Sequence, residues 1–125
     1  MLIKDLTNCS EFIAGDGSIL REILRPDNVG ACHGAPLRIR YSLAHATVKP
    51  DETTKPHTLK TSEVYYILEG EGKMHIDNES ERVKAGQAIY IPPNSKQLIK
   101  NIGKSDLRLL CIVDPAWRKE DEVIF

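Results

Sequence analysis

The chain has 125 residues, the size of one domain, and its 17 Lys and Arg against 18 Asp and Glu leave a formal charge of −1. That balance excludes the basic excess that nucleic acid or an anionic membrane surface requires, so neither is expected as a partner. The longest uncharged apolar run, Leu109 to Val113, is far too short to cross a bilayer.

From the N-terminus, Met1-Leu2-Ile3-Lys4-Asp5-Leu6 lacks the apolar stretch of a secretion signal, which points to the cytoplasm. Three widely spaced cysteines (Cys9, Cys32 and Cys111) with no CxxC pair agree, reading as reduced thiols. No segment carries a sustained helical period. Short apolar runs recur between turn signals instead, and they predict strands over 18–24, 37–48, 63–68, 72–76, 80–83, 87–91, 96–100 and 107–113. The intervening segments, such as Glu69-Gly70-Glu71-Gly72, Asp77-Asn78-Glu79 and Pro92-Pro93-Asn94-Ser95, are rich in residues that accept positive φ or fix it. After Asp114-Pro115 the composition allows one or two helical turns. The reading is a single all-β domain spanning residues 1–125.

Alternation along the strands sorts the side chains into two faces. Met74 and Ile76 share one face, which leaves His75 on the solvent side with Lys73 and Asp77. His45 lies with Thr47 and Lys49, opposite Ala44, Ala46 and Val48, and is expected on the outer face. Cys32-His33 sits in a polar loop and gives only a weak metal signal, whereas Cys111 lies in an apolar strand and reads as core. Tyr65 and Ile67 share a face with Glu63, so Tyr65 either offers a hydroxyl to a ligand or packs in the core or an interface. If the face of Ala44 and Ala46 continues back in register, Arg40 reaches the pocket and can hold an anion; a bulge near Ser42 would put it in solvent.

The fourth histidine sits in a pattern. Pro56-His57-Thr58-Leu59-Lys60-Thr61-Ser62-Glu63 continues to Gly70, and this stretch resembles the first motif of the cupin superfamily, G-x5-H-x-H-x3–4-E-x6-G. The run from Gly86 through Pro92, Asn94 and Gln97 to Asn101 is similar to the second motif, G-x5-P-x-G-x2-H-x3-N. The resemblance covers about 51–70 and 86–101. It implies a double-stranded β-helix, the cupin jelly-roll barrel, with six to eight antiparallel strands. It also implies a homodimer formed through the outer sheet, for which Ile39-Tyr41-Leu43 offers an apolar face.

In that family three histidines and a glutamate hold a divalent metal inside the barrel. Here Leu59 stands at the second histidine's position, Gln97 at the last one's, and Asn94 replaces a turn glycine. His57 and Leu59, two apart on an extended segment, face the same way. Glu63 enters the next strand beside them, and barrel closure would bring Gln97 alongside. One nitrogen and two oxygens from His57, Glu63 and Gln97 would suit Mn²⁺, Fe²⁺, Zn²⁺ or Ni²⁺. The same three residues can instead form a hydrogen-bonded cluster around a small-molecule pocket made more apolar by Leu59, with the Gln97 amide donating to Glu63. Two functions therefore stand open: a metal-dependent isomerase, lyase or oxygenase acting on a small polar metabolite, or a non-catalytic module that binds or senses a small ligand. The expected pocket residues are Leu59, Tyr65 and Arg40.

Overall fold

The computed structural model describes residues 1–27 and 37–125. Cys32 and His33 lie outside the described residues. Among the described residues eleven strands run in chain order: β1 (Glu11–Ile13), β2 (Ile19–Leu24), β3 (Ser42–Val48), β4 (His57–Leu59), β5 (Ser62–Glu69), β6 (Glu71–Ile76), β7 (Glu79–Lys84), β8 (Ala88–Ile91), β9 (Gln97–Asn101), β10 (Leu107–Asp114) and β11 (Glu122–Ile124). They form a six-stranded sheet in the order β1-β2-β3-β10-β5-β8 and a five-stranded sheet in the order β11-β4-β9-β6-β7. Every pairing is antiparallel. This is the expected double-stranded β-helix.

Period-two burial explains why the sheets close on each other. Along β10, Leu107, Leu109, Cys111 and Val113 are buried, while Arg108 and Ile112 between them are exposed. Tyr65 and Ile67 of β5 and Ala46 and Val48 of β3 join them on the inner face of the six-stranded sheet. Met74 of β6 and Ile99 of β9 meet them from the five-stranded sheet. Burying these side chains supplies the main driving force, at roughly 25 cal/mol per Å² of apolar surface removed from water.

Two turns show local chemistry fitting the fold. Between β5 and β6 the chain passes from one sheet to the other through Gly70, whose φ is +89°. A Cβ there would lie 2.7 Å from the Asp106 carbonyl oxygen and 3.0 Å from the Leu107 Cα. Only glycine satisfies both constraints. Asn94 takes φ +66°, the left-handed conformation that asparagine tolerates, and its N–H donates to the Leu59 carbonyl at 2.6 Å.

The structure corrects several expectations. Strands β1, β4 and β11 have three residues each, too few to establish a period, and none was anticipated. Strand β3 begins at Ser42 rather than at residue 37, because residues 37–41 make no ladder. The expected helical turn is one 3₁₀ turn, Lys119–Asp121. His75 is half-buried rather than fully in solvent. His45 does lie on the outer face, but it is 5% exposed and lines a polar cavity with Leu6, Thr7, Arg21, Lys49 and Arg108. Burial, reinforced by the Arg108 and Arg21 charges, lowers its pKa and favours the neutral ring.

Candidate functional site

A cavity of about 150 Å³ opens between the sheets. Ser42, Ala44, Ala46 and Val48 of β3 wall one side, with Leu109, Cys111 and Val113 of β10 beside them. These are alternate residues, so one face of each strand builds the wall. Glu63 and Tyr65 of β5, His57 and Leu59 of β4 and Ile99 of β9 contribute from other directions. Phe12, Ile13, Asp16, Glu22, Trp117 and Glu122 are among the remaining lining residues. The alanines leave room where larger side chains would fill the core.

The polar residues are set by register. His57 and Gln97 are directly opposed across β4 and β9, and Glu63 enters from β5 in the other sheet. Gln97 is 1% exposed, His57 3% and Glu63 6%. Gln97 Nε2 donates to Glu63 Oε1 at 2.8 Å, joining the two sheets through the interior. Gln97 Oε1 is buried without a partner. His57 Nδ1 lies 2.8 Å from the Lys55 carbonyl oxygen, which can only accept, so Nδ1 carries the proton. In the neutral ring that leaves the Nε2 lone pair free.

Burial pushes the Glu63 pKa up to about 8; the Gln97 hydrogen bond opposes the rise, while the Asp16 and Glu122 charges add to it. Glu63 is therefore mostly a neutral carboxylic acid at pH 7. In that form it can donate a proton to a ligand acceptor, or surrender it when a cation arrives.

Leu59 and Tyr65 both line the cavity and are buried. Burial raises the Tyr65 pKa well above its usual value, so its hydroxyl stays protonated. Arg40 does not belong to the site. Its side chain is 79% exposed and its Nε lies 3.7 Å from Asp114 Oδ1, because the strand that would have carried it inward starts only at Ser42. Cys111 is buried as expected but faces the cavity; burial raises its pKa well above the usual thiol value, so the thiol stays protonated. Asn101 has a structural role: its Nδ2 donates to the Val48 and Ser105 carbonyls, and its Oδ1 accepts from the Gly103 N–H.

Sequence reasoning missed Asp16, Trp117 and Glu122. Asp16 had a signal, since Asp16-Gly17-Ser18 is a turn in which the aspartate Oδ1 accepts from the Ser18 N–H at 3.0 Å. Glu122 had none, because β11 reaches the cavity only by pairing with β4.

A family model described as Cupin domain matches residues 44–113. The chain belongs to the cupin family. An uncharacterised protein of Methanocaldococcus jannaschii is 43% identical over 90% of this cupin and 86% of its own length. A tetracenomycin polyketide synthase protein of Streptomyces glaucescens is 26% identical over 79% of this chain and 62% of its own. An oxalate-binding protein of Thermotoga maritima is 35% identical, over 41% of this chain and 42% of its own. The cupin spans about a quarter of the mannose-1-phosphate guanylyltransferase of Escherichia coli that it matches at 27% identity over 98% of this chain (26% of that enzyme). Among solved structures, a predicted oxalate decarboxylase of Thermotoga maritima superposes with a TM-score of 0.74 at 20% identity, covering 91% of this chain and 99% of that one. The polyketide cyclase RemF of Streptomyces resistomycificus superposes with a TM-score of 0.70 at 22% identity, covering 97% and 89%. At these identities the structural matches establish the barrel.

Proposed function

We propose that this cupin binds a small ligand, apolar over most of its surface, whose polar end meets His57 and Glu63 in the cavity. The observation that carries the reading is the Gln97–Glu63 hydrogen bond. It gives the buried carboxyl a protein partner, which a cluster serving an organic ligand needs. The apolar walls and Leu59 point the same way. Relatives named for polyketide chemistry make a largely apolar ligand reasonable. The oxalate-binding relative's ligand is not carried over, because no Lys or Arg among the described lining residues would offset two negative charges. The test is thermal unfolding of chelator-treated protein against a panel of small molecules. A ligand of this site raises the melting temperature of the parent but not of Ala44→Leu, which fills the cavity. An equal rise in both proteins overturns the assignment.

A second reading, a divalent metal held by His57, Glu63 and Gln97, is favoured by the orphaned Gln97 Oε1 and the free His57 Nε2. As donors, an imidazole nitrogen, a carboxylate and an amide oxygen fit Mn²⁺, Fe²⁺, Zn²⁺ or Ni²⁺. Such an ion would supply Lewis-acid chemistry toward a substrate oxygen. For this to hold, Glu63 must release its proton and the Gln97 amide must turn. Melting curves with added Mn²⁺, Zn²⁺ and Ni²⁺ test it; a metal response equal in the parent and Gln97→Ala rejects it.

A further inference from the structure

Charge at the cavity is one-sided. Four lining residues are acidic, Asp16, Glu22, Glu63 and Glu122, and none of the described lining residues is Lys or Arg. Glu22 pairs with Arg25 at 3.3 Å, a guanidinium that also holds Asp27 at 2.6 Å. The other three have no cationic partner among the described residues. Asp16 Oδ1 accepts from the Ser18 N–H and hydroxyl, Glu122 Oε2 accepts from Trp117 Nε1 at 3.3 Å, and Glu63 accepts from Gln97. His57, 3% exposed and lining the same cavity, turns Nδ1 to the Lys55 carbonyl oxygen, and its Nε2 has no hydrogen-bond partner among the described residues. With Glu63 protonated at pH 7, the carboxylates of Asp16 and Glu122 carry the negative charge, which repels anions and favours cationic hydrogen-bond donors.

A bare ion is satisfied by oxygen donors and water, whereas most of this wall is aliphatic or aromatic. A charged nitrogen on an apolar body satisfies both halves of the lining, with Trp117, Phe12 and Tyr65 available to its body or its charge. Size sets the body, because a cavity of about 150 Å³ holds a molecule of roughly benzene's volume.

We propose that the cavity selects a small primary amine, bound as its ammonium, with an apolar body about the size of one six-membered ring. The proposal rests on the reading that this cavity holds an organic ligand, and names its class. The ammonium donates toward Glu122, the Glu63 carboxyl and the His57 Nε2, and the ring packs against Ala44, Cys111 and Val113, which the register places beside Glu63 and Tyr65.

Three isosteric probes separate charge from shape: benzylamine, benzyl alcohol and benzoate. They are titrated at pH 7 into chelator-treated full-length protein, with methyl resonances of Ala44, Leu59 and Val113, which line the cavity, as the NMR readout. Benzylammonium is expected to bind at least roughly tenfold more tightly than benzyl alcohol, with benzoate weakest. In Asp16→Asn and Glu122→Gln, which keep an acceptor for Ser18 and Trp117, the ammonium-over-alcohol preference should shrink. If benzyl alcohol or benzoate shifts these methyls as strongly as benzylammonium, charge selection is wrong while the organic pocket stands. If none of the three shifts them, the pocket reading fails and this proposal with it.

Discussion

Gln97 on the five-stranded sheet donates its amide to Glu63 on the six-stranded sheet at 2.8 Å, so the two residues at the heart of the site also tie the sheets together. Gln97→Ala should therefore act on stability as well as on binding. It leaves a buried carboxyl oxygen without its donor, at a cost of about 1–3 kcal/mol. Urea unfolding at pH 7 in the presence of chelator measures this directly. A loss that appears only when metal is present would instead place the amide on an ion.

The same carboxyl makes a signed prediction about pH. Its ordinary pKa of 4.5 rises to about 8 in the folded protein, so the folded state holds a proton that the unfolded state releases between those values. Stability contributed by this group should fall as pH rises from about 4.5 to about 8 and then level off, at up to roughly 1.4 kcal/mol per pH unit. Glu63→Gln, which keeps an acceptor for Gln97 but cannot ionise, should flatten that slope. Urea midpoints across the range, parent against variant, give the comparison. Parallel curves would mean that Glu63 does not titrate in this window.

Much of this site could be read from the chain because its spacing is local. His57, Leu59 and Glu63 lie within seven residues and their facing follows from strand geometry, as does the inward placement of Tyr65. Gln97 needed the second motif, since only barrel closure brings it opposite His57. Of the two placements open for Arg40, pocket or solvent, the structure has solvent, and where β3 starts depends on pairing with β2 and β10 rather than on composition. His45 was given the right face but the wrong environment, because the N-terminal segment that helps cover it is a tertiary neighbour with no sequence signature. Glu122 was illegible for the same reason.

Gly70 offers a test of the fold separate from the site. Gly70→Ala would place a methyl 2.7 Å from the Asp106 carbonyl oxygen in a left-handed conformation, so something in the backbone must move. A loss on the order of 1–3 kcal/mol is expected, with more if β10 shifts at Leu107. Denaturant unfolding measures it. Gly86→Ala, at the same φ of +89° but with nothing within 4 Å of the added methyl, should cost less. Equal losses at both positions would show that conformation alone, and not crowding, sets the cost.

Leu59 tests the metal reading from the opposite direction. It is 3% exposed, lines the cavity beside His57 on β4 and occupies the position where the cupin pattern carries a second imidazole. Leu59→His places a polar ring in an apolar setting, so the metal-free variant should be less stable than the parent. An ion bound by His57, Glu63 and Gln97 would gain a nitrogen donor. The expected gain is on the order of tenfold in affinity for Zn²⁺ or Ni²⁺, about 1.4 kcal/mol, and smaller for Mn²⁺ because imidazole suits the later metals. Titration calorimetry on folded variant and parent measures the difference, and a metal-dependent recovery of melting temperature should accompany it. A variant that folds, is destabilised and gains no affinity would show that Leu59 faces the cavity but not the position of an ion. In that case the three polar side chains would be left with the organic ligand alone.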